Sequence, residues 1–152
     1  MMLLYMRQPE NLKVIHLVRD GRGVLYSALK RGRNDVRSVA REWKIKNQHS
    51  IYCLKNISSE NKRLIRYEDL CTDTPRVMNE IFHFLDLHPI DNFNLGGWEH
   101  HLVPGNALLR HLSSIETTEV KLNELWKERL LKDTLLIFDA VAGDLNRKFG
   151  YV

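Results

Sequence analysis

Cysteine is scarce in this chain, and no apolar run is long enough to span a membrane. Cys53 and Cys71 are the only two in 152 residues, too few and too far apart for a disulfide scaffold. Unpaired thiols are expected, with pairing as the alternative in a luminal compartment. The apolar opening Met1 to Met6, MMLLYM, is far too short to cross a bilayer. It has no basic flank before it and no small-residue cleavage site after it, so it does not read as a signal peptide. It reads instead as the end of an element that starts further upstream. Excess charge of one sign is also modest: 23 Lys and Arg against 19 Asp and Glu leave +4. That balance suits an anionic ligand. The basic residues are scattered, without an aromatic-interleaved patch, which argues against a nucleic-acid binder. No G-x-x-x-x-G-K-[ST] loop occurs, so that phosphate motif fails. His100 and His101 are adjacent and cannot both face one site from a strand or helix. No cysteine or carboxylate set surrounds them, so no metal centre is expected.

What is present is one ordinary globular domain's worth of sequence, 43% hydrophobic and 28% charged. It is organised around Lys13 to Arg31, KVIHLVRDGRGVLYSALKR. Lys13–Val18 is a short β-branched run of strand length. Gly21-Arg22-Gly23 makes a turn, and from Val24 the apolar residues Val24, Leu25, Ala28 and Leu29 take helical spacing. A strand running into a glycine turn and a helix start is a ready anion site, because unpaired N–H groups and the helix dipole point the same way. Arg19 at the strand end and Ser27 eight positions on supply a guanidinium and a hydroxyl, which suit a terminal phosphate. The plain alternative is an ordinary strand–turn–helix unit with a surface arginine. A dinucleotide fingerprint is not completed, since Tyr26 stands where its third small residue belongs.

Gly32-Arg33-Asn34-Asp35 reads as a turn and helix start, followed by a helix from Val36 to about Leu54. Val36, Val39, Ala40, Trp43, Ile51 and Leu54 can share one apolar face, although Asn47 and Ser50 interrupt it, and Arg37, Arg41, Lys44 and Lys46 form its solvated side. Asn56-Ile57-Ser58 has the form of a glycosylation acceptor, meaningful only in the secretory pathway. Arg63–Tyr67 is a second strand. Thr74 as N-cap and Pro75 in the first turn then open a helix that carries Val77, Met78, Ile81, Phe82 and Leu85 and ends near Asp86. His88 to Glu119 has no clean period, which marks a stretch of that length as functional or mobile. Two C-terminal helices follow. The first carries Leu122, Leu125, Trp126 and Leu130; the second carries Leu135, Phe138, Val141, Ala142, Leu145 and Phe149, and Gly150-Tyr151 stops it. Strands alternating with helices imply an α/β fold with a parallel sheet.

Three segments carry a resemblance. Val18-Arg19-Asp20-Gly21-Arg22-Gly23-Val24-Leu25-Tyr26-Ser27 is similar to the 3′-phosphate-binding segment of the sulfotransferases that use PAPS (3′-phosphoadenosine 5′-phosphosulfate), the carbohydrate branch above all. Arg66-Tyr67-Glu68-Asp69-Leu70 with its Pro-started helix resembles the same family. So does Gly105-Asn106-Ala107-Leu108-Leu109-Arg110, which is similar to the loop folded over the nucleotide. The family usually has Pro where this chain has Gly21, which makes the turn looser. The resemblance implies that Arg19 and Ser27 hold the 3′-phosphate and that Tyr67 lies near the adenine, with a plain core aromatic as the equal alternative. Asn106 and Arg110 would belong to the covering loop, with a surface role for Arg110 as its alternative.

The implied fold is the C-terminal part of a P-loop-like nucleotide-binding domain, and the implied activity is sulfuryl transfer from PAPS, without a metal, to a hydroxyl or amine, most simply of a carbohydrate. A Golgi-lumenal setting follows by the same resemblance, with the cytoplasm as the alternative. Nothing before Lys13 resembles the family's 5′-phosphosulfate loop and first strand, and no catalytic base is identified. Residues 1–152 therefore read as one partial domain, truncated and weakly active or inactive, with an uncovered sheet edge or apolar face. The other reading is a non-catalytic nucleotide-binding or interaction module.

Overall fold

The computed structural model describes residues 12–89 and 122–152. Val14–Val18 (β1) and Lys62–Arg66 (β2) pair in parallel, from Val14↔Lys62 to Val18↔Arg66. Parallel strands need a crossover, and Gly21–Lys30 (α1) and Val36–Leu54 (α2) provide it. The α/β expectation holds. The second strand lies one residue earlier than expected, because Tyr67 already begins a short helix, Tyr67–Thr72 (α3). Leu17 and Leu64 remain 52% and 51% exposed on this narrow sheet.

Helix α1 starts three residues before the expected Val24, so Gly21-Arg22-Gly23 is helix rather than turn. Asp20 is the reason: its side chain accepts the Arg22 N–H and caps the first turn. At the other end Gly32, at φ +88°, reverses the chain, and Arg33 N–H reaches back to the Ala28 carbonyl. Helix α2 has the expected limits, with Asp35 capping Ser38 N–H at 3.1 Å. Its Trp43 is 5% exposed and packs against Phe138 and Phe149, ring centroids 5.9 and 6.2 Å away. Val18, Leu25 and Ala40 complete the centre of this core.

One expectation for α2 is corrected. Lys44 is only partly solvated: its ammonium donates to the Val141 carbonyl at 3.0 Å and to Asp144 at 2.9 Å. On the outer side Glu42 accepts from Arg33 at 2.5 Å and Lys46 at 2.6 Å. Those two hydrogen bonds, Lys46 first, hold its carboxyl down to about 2 from an ordinary 4.5. A depressed folded pKa stabilises above the unfolded value, so this small contribution is lost as pH falls from 4.5 toward 2. NMR titration should find the Glu42 midpoint near 2, moving back toward the ordinary value in high salt.

The C-terminal helices differ from their expected form. Trp126–Arg129 (α5) is a single turn in which only Trp126 is buried, and Leu125 is exposed. The last helix is three continuous pieces: Lys132–Phe138 (α6), a π turn at Asp139–Gly143, and Asp144–Lys148 (α7). Lys44 takes a carbonyl inside that widened turn. Gly150, at φ +85°, then ends the helix as expected, and Tyr151 N–H bonds back to the Asn146 carbonyl. Among the described residues, Cys53 and Cys71 form no disulfide.

The chain divides into two compact units, and all of the above up to Glu68 and from Asn123 belongs to the first. The second, Asp69–Leu122, has as its described element the helix Thr74–Phe84 (α4). Its N-cap is Asp73, which accepts Arg76 N–H, and not Thr74; the Thr74 hydroxyl instead donates to the Leu70 carbonyl at 2.7 Å. Thr74, Val77 and Phe84 are its buried residues. The helix ends at Leu85, with Asp86 at φ +57°, close to the expected stop.

Candidate functional site

The junction of β1 and α1 is built from acids and amides. Asp20, 5% exposed, accepts Arg22 N–H at 2.9 Å and pairs with the Arg22 guanidinium at 2.7 Å. Asn146 donates to Asp20 at 3.2 Å and accepts Gly21 N–H at 2.9 Å. Glu68 accepts Asp20 N–H at 3.1 Å. The expectation of open backbone donors at this helix start is therefore corrected at Gly21 and Arg22, whose N–H groups are taken by Asn146 and Asp20. Arg22 is equally committed, since its guanidinium lies 4.5 Å over the Trp126 ring and donates to the Val152 carbonyl at 2.9 Å.

Arg19 and Ser27 each lie against Gly23. The Ser27 hydroxyl donates to the Gly23 carbonyl at 3.0 Å. A Cβ on Gly23 would lie 3.3 Å from Arg19 Nε and 3.3 Å from Trp126 Cδ1, so the absent side chain is what admits the guanidinium. Arg19 is half-buried, donates to the Asn123 carbonyl at 3.3 Å, and has its guanidinium carbon 4.6 Å from the Tyr67 ring centroid. The Tyr67 face is what supports the Arg19 cation here. Asp20 does not oppose an anion freely, because Arg22 neutralises it. Asn106 and Arg110 lie outside the described residues.

Tyr151 ties the C-terminus to the same junction. Its hydroxyl is 2.6 Å from Glu68 and 3.2 Å from the Val18 carbonyl. The phenol has one proton, and the shorter, charged contact takes it. Burial, then the Glu68 carboxylate, push this phenol well above the ordinary 10, so it stays a donor through the neutral range. The Arg66 guanidinium covers its ring at 4.5 Å. His16 is committed elsewhere, with Nε2 3.2 Å from Asn47 Oδ1 and its ring edge-on to Phe149. Among the described residues no three metal-ligating side chains cluster.

Sequence reasoning missed Asp20, Glu68, Asn146 and Tyr151 as parts of this junction. An acid directly before a glycine-started helix is an N-cap signal and would have exposed Asp20. Asn146 and Tyr151 carry no such local mark. Their partners are 125 and 83 residues away.

The backbone is similar to a solved sulfotransferase domain from the curacin biosynthetic pathway, with TM-score 0.51 and 25% identity. The fold is sulfotransferase-like. The match covers 60% of this chain and 36% of that one, so the chain spans about a third of the length of that domain. No family model matches the chain, and no curated protein matches it in sequence. At the strand end Arg19 lies over Tyr67, Ser27 bonds back to Gly23 within α1, and Asp20, Arg22, Glu68, Asn146 and Tyr151 are linked by hydrogen bonds around the junction.

Proposed function

We propose that the chain is the nucleotide-holding portion of a sulfotransferase-like domain, with Arg19 and Ser27 gripping the 3′-phosphate of PAPS or of its product PAP (3′-phosphoadenosine 5′-phosphate). The observation that carries this reading is the placement of Arg19 and Ser27 against one glycine of the first turn of α1. A guanidinium offers a planar fork to phosphate oxygens, and a hydroxyl can rotate from the Gly23 carbonyl to donate a further bond. The similarity to a sulfotransferase domain supports the same reading. PAPS, when bound, supplies the sulfuryl group. Tyr67, Asn106 and Arg110 join the nucleotide site in this proposal, and the acceptor is a hydroxyl or amine, most simply of a carbohydrate.

The test is calorimetric titration of PAP into the protein and into Arg19→Ala. A hydrogen bond to a charged group is worth about 1.5–3 kcal/mol, so the variant should bind ten- to a hundredfold or more weakly. Binding by neither protein, or equally by both, would sink the proposal.

A further inference from the structure

Val18 and Arg66 are register partners at the ends of the two strands. The residues that follow them, Arg19 and Tyr67, therefore leave the sheet side by side. Their side chains meet, with the Arg19 guanidinium carbon 4.6 Å from the Tyr67 ring centroid. The backbone under this pair is anchored, because the next residue, Glu68, accepts both Asp20 N–H and the Tyr151 hydroxyl. The nearby Arg22–Trp126 stack uses the same contact for another end: there the fork is spent on Asp20 and the Val152 carbonyl. The Tyr67 ring holds the Arg19 cation at one face, while one of its five N–H donors goes to the Asn123 carbonyl at 3.3 Å.

We propose that Tyr67 is a positioning residue for Arg19, setting the plane in which the guanidinium meets a phosphate, and that it serves nucleotide binding through the 3′-phosphate rather than through the adenine. The inference rests on the nucleotide reading above. It makes a prediction that an adenine contact does not: loss of the ring should spare ligands without a 3′-phosphate.

The experiment compares PAP with adenosine 5′-monophosphate, by calorimetry, on the parent, Tyr67→Leu and Tyr67→Phe. The preference for PAP should fall about tenfold in Tyr67→Leu, the size of one partly desolvated cation–π contact. It should survive in Tyr67→Phe, with monophosphate affinity unchanged throughout. Equal weakening of both ligands would assign Tyr67 to the adenine and overturn the inference. A parent without preference for PAP would instead defeat the nucleotide reading. The stack is then judged by the Arg19 Nε–H resonance, which needs no ligand. Its signal should be ring-current-shifted in the parent and in Tyr67→Phe, and the shift should vanish in Tyr67→Leu. An unshifted parent signal overturns the inference even if the leucine variant fails to fold.

Discussion

Phe138→Ala is expected to lower the unfolding free energy by about 3–5 kcal/mol, the range for truncating a buried aromatic. Phe138 is 1% exposed and packs on Trp43. It also lies against the start of α1: a Cβ on Gly21 would sit 2.9 Å from Phe138 Cε2 and 3.0 Å from Trp43 Cδ2, and would overlap Phe138 Cζ. Both neighbours are core residues without room to retreat. Gly21→Ala should therefore cost about 1–3 kcal/mol by overpacking, although alanine is the better helix former. The two changes are coupled, because removing the Phe138 ring makes space for the new methyl. Urea unfolding of the double variant should show a loss smaller than the sum of the single ones. Strict additivity would mean that the ring does not rest on Gly21.

Asp20→Ala is expected to cost about 2–4 kcal/mol. The change removes a helix cap, worth about 0.5–2 kcal/mol. It also leaves Arg22 and the buried Asn146 amide without their acceptor, and an unmet buried polar group costs about 1–3 kcal/mol. Asp20→Asn keeps an oxygen for the Arg22 N–H and should lose less. Thermal unfolding of the three proteins checks the order, parent above Asn above Ala. A neutral alanine variant would remove Asp20 from the support of the site.

How legible the chain is depends on the range of the interaction. Helix α2 reads correctly from Asp35 to Leu54 because its cap and its apolar period are local in sequence. The strands also read to within a residue, the first because its run VIHLV carries three β-branched residues. The start of α1 reads as a turn when its glycines are weighed alone, and the cap signal that makes it helix is Asp20 directly before them. Lys44 reads as solvent-facing because its partner, Asp144, is 100 residues away.

The sequence by itself determined the α/β class, the strand end at Arg19 and the helix that carries Ser27, because hydrophobic period and residue type decide these within a few residues. Only the tertiary structure decided that Asn146 takes the Gly21 N–H of α1, and that Tyr67 lies on Arg19. Those contacts join residues far apart in sequence, and their geometry exists only once the strands are paired and the core is closed around Trp43 and Phe138.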